Sequence, residues 1–123
     1  MSERSWWVVR GAALLGAAAV ALGAFGAHSL NELLEESGRT EIWKTASTYH
    51  LIHSLLLLFL GWHGISIWRC GLLIAGTLIF SGSLYLLCLT GHTWLGAITP
   101  IGGTLLILVW FSLVFINKEN GRS

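Results

Sequence analysis

The sequence predicts an all-α membrane protein: a four-transmembrane-helix bundle with both termini cytoplasmic and a short amphipathic helix in the first external loop. Three observations lead there. Hydrophobic residues fill 54% of the 123 positions and charged residues only 11%, whereas a soluble domain carries about 25% charged residues to face water. Mean hydropathy is +0.73. The apolar residues also gather into four runs, each near the roughly 20 residues that a hydrocarbon core about 30 Å thick requires. A single integral membrane domain over residues 1–123 follows, with spans at about 8–27, 45–61, 70–90 and 96–116.

The first span carries Ala12, Gly16, Ala19, Gly23 and Gly26 on one stripe, with Leu14, Leu15, Leu22 and Phe25 opposite. Small residues at this spacing let helix backbones approach, and packing is what holds membrane helices together. The basic start and alanine-rich core also have some character of a signal peptide. The apolar run exceeds a typical h-region, and its removal would break the charge pattern described below, so the segment is expected to stay. The loop that follows, HSLNELLEESGRTEIWK, places Leu30, Leu33 and Leu34 at helical spacing with glutamates opposite and Gly38 as a stop. It reads as a short amphipathic helix lying on the membrane surface.

The second span opens with TYHLIHS. At 100° per residue, Ala46, Ser47, Tyr49, His50, His53, Ser54 and Gly61 share one arc, while Leu51, Ile52, Leu55, Leu58 and Phe59 take the opposite one. Polar groups left unpaired in lipid are costly, so the first arc must face protein. His53 should lie on the order of 12 Å below the outer surface at 1.5 Å per residue, with His50 nearer to it. His28, after the first span, and His92, in the last external loop, lie toward the same side.

The third span has two stripes: Thr77, Ser81, Tyr85 and Cys88, then Gly76, Ser83 and Thr90. A helix with polar or small groups on two sides is expected to have protein neighbours on both. Cys70 and Cys88 are separated by about 27 Å along that helix, too far for a disulfide, which needs Cα atoms within about 7 Å. The link GHTWL is so short that the last two spans form an antiparallel hairpin. The fourth span begins at Thr99-Pro100, where proline suits a first turn and the threonine is expected to cap it.

Charge sets the orientation. Arg4, Arg10, Arg69, Lys118 and Arg122 fall on one side; Arg39 and Lys44 fall on the other, beside Glu32, Glu35, Glu36 and Glu41. Lysine and arginine accumulate in the cytoplasm, which puts both termini inside. Trp6, Trp7, Trp62 and Trp68 then mark the inner interface and Trp43 and Trp94 the outer one, with Trp110 somewhat deeper than an aromatic belt requires.

A net charge of +1 offers no basic stripe for nucleic acid. No Asp, Glu, Lys or Arg lies deep in the spans, where transporters and proton pumps keep such groups. The leading expectation is therefore a structural or accessory protein with no enzymatic activity and no cofactor. Its partners would be the lipid bilayer and either its own copies or another membrane complex, met through the small-residue faces of the first and third spans. A second reading is a haem or metal site in the outer half of the bundle, with His28 and His53 as first ligands and His50 and His92 as additions. A third is a small oligomeric permeation path along the polar arc and the Thr77–Ser81–Tyr85 stripe, with Pro100, Gly102 and Gly103 supplying a bend. Hydrolysis is the weakest, because Ser81 and Ser83 have neither an elbow turn nor a carboxylate to orient a histidine.

GAFGAHSL (Gly23–Leu30), WKTASTYHLIH (Trp43–His53), FSGSLYLLCLTG (Phe80–Gly91) and LGAITPIGG (Leu95–Gly103) resemble the YgdD-type family, small bacterial inner-membrane proteins of unknown function with eukaryotic relatives. The resemblance implies a four-helix protein of the bacterial cytoplasmic membrane and brings no catalytic residue. His28 and His53 fall inside these motifs, and the stripes and motifs together give Gly16, Gly23, Gly26, Tyr49, His53, Ser81, Gly82, Ser83, Tyr85, Thr99, Pro100, Gly102 and Gly103 as packing or motif positions. Ser29 departs from the glycine of the usual GAHGL.

Overall fold

A computed structural model of the protein describes residues 2–117, and among these there is no strand. The elements are α1 (Glu3–Ala27), α2 (Asn31–Ser37), α3 (Thr40–Trp62), α4 (Ile67–Thr90), a 3-10 turn (Thr93–Ala97) and α5 (Thr99–Leu113). Lys118 and Arg122, used for orientation, lie outside the described residues.

The first three long helices begin several residues before the expected spans. Hydropathy marks only the part of a helix suited to hydrocarbon, whereas the backbone ladder runs on through Glu3 and Arg4, or Thr40 and Glu41, into the interface. Ser2 caps α1 by accepting the Ser5 N–H at 3.1 Å. The expected fourth span is broken in two. Its start is the 3-10 turn, and α5 stops at Leu113 instead of Ile116. Pro100 stands in the first turn of α5 as expected, but Thr99 does not cap it. The Thr99 hydroxyl turns instead to Leu95 O and to Ser83 on α4.

α2 is the short helix expected in the first external loop. It ends at Gly38, whose φ of 71° is the left-handed conformation that glycine adopts without a Cβ clash. Of its leucines, Leu34 is buried and Leu33 exposed. Ser29 needs no glycine: positive φ occurs only at glycines among the described residues, so the turn after α1 suits an ordinary side chain.

Glu3–Ala27, Ile67–Thr90 and the run Thr93–Leu113 are long and apolar enough to cross a bilayer. α3 has the length but not the composition, because Tyr49, His50, His53 and Ser54 interrupt its apolar run. α1 packs on α3, α3 on α4 and α4 on α5, while α1 and α4 scarcely meet. Toward the end that carries the α3–α4 link, Ala12, Leu57, Leu60, Cys70, Leu73, Leu106 and Val109 form one core. Toward the end that carries α2, Leu34, Trp43, Ala46, Tyr85 and Cys88 form another.

The small-residue stripe of α1 is spent inside the chain. Ala12, Ala19 and Gly26 are buried, and Gly16 and Gly23 pack near Ser54 and Ser47 of α3. That stripe is therefore not a free assembly surface, contrary to expectation. Trp43 also departs from its expected place in an aromatic belt. It is 2% exposed, lies against Gly26 where any Cβ would strike its indole ring, and donates Nε1–H to Leu22 O at 2.7 Å.

At Gly102 the backbones of α4 and α5 approach closely. A Cβ on Gly102 would collide with the Phe80 backbone nitrogen and come within 2.9 Å of Gly76 O. Backbone cannot step aside as a side-chain tip can. On Gly103 a Cβ would only touch the Phe80 ring at 3.5 Å. Gly102→Ala should thus destabilise the bundle by about 1–3 kcal/mol, the usual cost of overpacking, while Gly103→Ala stays near neutral. Denaturation in one detergent, followed by tryptophan fluorescence, measures both; equal effects would contradict this account of the α4–α5 contact.

Candidate functional site

The polar groups of the bundle meet along α3. Its buried face carries Trp43, Ala46, His50, His53 and Ser54, with Ser47 half-buried, whereas Leu51, Ile52, Leu55 and Phe59 are left uncovered. Tyr49 belongs to the predicted inward arc but is 44% exposed. Its ring lies over Phe80 at 4.9 Å between centroids, at the edge of the α3–α4 contact.

His53 ties α3 to α5. Trp110 donates its indole N–H to His53 Nε2 at 3.0 Å, and His53 Nδ1 lies 2.7 Å from Tyr49 O. Indole is a donor only and a carbonyl an acceptor only, so the ring is neutral with its proton on Nδ1. Both nitrogens are thereby engaged. Trp110 is the residue that sequence reasoning left unexplained; its depth is set by this partner, and that anomaly was the available signal.

His50 ties α3 to α4. Its Nδ1 lies 3.0 Å from the Tyr85 hydroxyl. From α4, Ser81 Oγ donates to Ala46 O at 2.7 Å. Ser83, two positions on and turned by about 200°, meets Thr99 Oγ1 at 2.6 Å across the α4–α5 boundary. Gly82 sits between them, with no atom within 4 Å of where its Cβ would be. The SGS stretch thus serves two neighbours from one helix, as the two predicted stripes require, and neither serine touches a histidine. Thr90, at the end of the second stripe, is exposed. Near the α3–α4 link Arg69 Nε donates to Ser112 Oγ at 2.9 Å.

The candidate ligands do not converge. His28, at the end of α1, and His92, before the 3-10 turn, are exposed, while His50 and His53 turn toward different helices. Among the described residues no three His, Cys, Asp or Glu side chains are grouped to hold a metal ion. Cys70 and Cys88 are buried free thiols, the second donating to Arg39 O at 3.8 Å. Gly26 and Gly102 are close-approach positions, a Cβ on Gly16, Gly23 or Gly103 would make only ordinary contact, and Pro100 is exposed.

A family profile described as "Protein of unknown function (DUF423)" matches residues 22–103, from the end of α1 through α2, α3, α4 and the 3-10 turn to the start of α5. The chain belongs to the DUF423 family. Its relatives include a UPF0382 membrane protein of Staphylococcus epidermidis, 48% identical over 101 residues, covering 78% of this chain and 82% of the relative. The UPF0382 membrane protein YwdK of Bacillus subtilis is 42% identical over 103 residues, 78% of this chain and 83% of that one. A UPF0382 membrane protein of Schizosaccharomyces pombe is 40% identical over 111 residues, with shares of 84% and 94%. No solved structure matches. The DUF423 family thus comprises small membrane proteins of bacteria and yeast without an assigned activity, and every inter-helix tie described above except those through Trp110 and Ser112 lies within the matched region.

Replacing His53 by Phe or Trp110 by Phe removes the same hydrogen bond. Each should cost about 0.6–1.7 kcal/mol, the range measured for hydrogen bonds between membrane helices. The double variant should cost clearly less than the sum of the two. Additive losses in an equilibrium unfolding titration would show that the bond contributes nothing to holding α5.

Proposed function

We propose that this member of the DUF423 family is a four-span protein of the bacterial cytoplasmic membrane, with both termini cytoplasmic, acting as a non-enzymatic structural or accessory subunit. One observation carries this reading. α1 has a second small-residue stripe, Ala13, Ala17, Ala21 and Ala24, which the rest of the chain leaves uncovered. Small residues four apart allow a neighbouring helix to approach closely, which is what drives association in lipid. A single chain has no use for such a stripe once the first one is packed on α3. The partner is a second copy or another membrane protein.

α3 supports the fourth span. Its 23 residues reach about 34 Å, and His50, His53 and Ser54, which lower its hydropathy, are turned into the bundle rather than toward lipid. The charge asymmetry supports the orientation. At the inner end Trp7 and Trp68 stack with Arg10 and Arg69, as interfacial anchors do.

Two measurements test the reading. Ser37→Cys, on the exposed face of α2, should react with a membrane-impermeant maleimide added outside intact cells, while the native thiols, both buried, stay unlabelled. Labelling only after permeabilisation would invert the topology. Native mass spectrometry in mild detergent should give a multiple of the 13.4 kDa chain or a chain with a bound partner. Ala17→Leu and Ala21→Leu should release it. A monomer at every concentration, from native-level expression, would overturn the accessory role.

A further inference from the structure

α1 and α4 both pack against α3 without closing on each other, and a cleft of about 210 Å³ lies between them. Leu15, Ala18 and Leu22 form one wall, Leu78 and Gly82 the other, and His50 and Tyr85 line it from within the bundle. His50 is 6% exposed, and its Nε2 is buried with no hydrogen-bond partner, the one such side-chain atom found among the described residues. The Leu15 carbonyl faces the ring, but no hydrogen bond of proper geometry closes between them.

The proton on that nitrogen can be placed. His50 Nδ1 is the hydrogen-bond partner found for the Tyr85 hydroxyl; the reverse tautomer would leave the buried hydroxyl proton without an acceptor as well, so the hydroxyl donates and Nδ1 accepts. A neutral imidazole then carries its proton on Nε2. What is left over is an unpaired N–H donor in an apolar setting, which is costly to leave so. Water is a poor occupant, since it needs two to four polar partners. Thr77 and Ser81 also line the cleft, but their hydroxyl hydrogens go to Leu73 O and Ala46 O at 2.7 Å each, which leaves only acceptor lone pairs, and almost none of the exposed lining is polar.

We propose that the α1–α4 cleft binds a membrane-soluble molecule with an apolar tail and a one-ring head bearing a carbonyl oxygen, which accepts the His50 Nε2–H. The size fits: an apolar cavity of about 150 Å³ holds benzene, and this one leaves room for ring substituents. The tail runs out between α1 and α4, past Gly82. The Leu15 side chain, half-buried on the cleft wall, shifts rotamer to admit the oxygen. This site is independent of the α1 stripe and stands whether or not the protein assembles.

The test uses the full chain, labelled with 15N-histidine, in lipid nanodiscs, titrated with decylbenzoquinone, decyl phenyl ketone or decylbenzene. The His50 Nε2 resonance, assigned by its loss in His50→Phe, is expected to shift saturably with the quinone. Gly82→Leu blocks the mouth without touching His50 or Tyr85, and its Cβ meets open space, so the fold is kept; it should raise Kd at least tenfold. A matching response to the ketone supports the proposal with one carbonyl as the whole requirement, and a response to the quinone alone supports it for a two-carbonyl head. An equal response to decylbenzene, an unmoved Nε2 resonance with both carbonyl probes, or unchanged Kd in Gly82→Leu would overturn it.

Discussion

A polar side chain inside hydrocarbon needs a partner, and α3 buries His50, His53, Ser54 and the indole N–H of Trp43. The rest of the structure is arranged to answer them. Tyr85 and Ser81 on α4 meet His50 and the Ala46 carbonyl, Trp110 on α5 meets His53, and Trp43 reaches back to the Leu22 carbonyl of α1. Each bond is individually modest in a membrane. Their combined effect is specificity, because rotating any one helix leaves buried groups unpaired at several places.

Close packing supplies the second constraint. With no hydrophobic drive between helices in lipid, contact depends on how nearly backbones can approach. Gly26 accommodates the Trp43 indole, and Gly102 admits the α4 backbone at Phe80. These two glycines stand near opposite ends of the chain, yet both act by having no side chain at a crossing. In TPIGG the polar tie at Thr99 and the glycine crossing at Gly102 lie within one motif. One short stretch of sequence can then carry both kinds of contact.

The histidines of TYHLIHS illustrate why residue type alone underdetermines chemistry. His53 has both nitrogens occupied and serves as a linker between helices. His50, three residues earlier on the same face, keeps one nitrogen free beside a cleft. Their difference arises from which helix each one meets, α5 or α4, and from the gap where α1 and α4 fail to touch.

Much was legible in the sequence because hydrocarbon imposes simple rules on composition. The apolar runs located the long helices, the period of 3.6 residues identified the inward face of α3, and the two stripes of α4 foretold two neighbours. Gly38 ended α2 as its position indicated. Tertiary structure alone decided the pairings, since a hydrogen bond between helices depends on rotation, depth and crossing, none of which has a local signature. Trp43 looked interfacial by position and is buried because Gly26 leaves space for it across the α1–α3 contact. Thr99 looked like a cap and is drawn to Ser83 because α4 passes beside it. The cleft with its unpaired imidazole N–H exists only because two helices distant in the chain stand apart, and no pattern of residues along a sequence records a space between them.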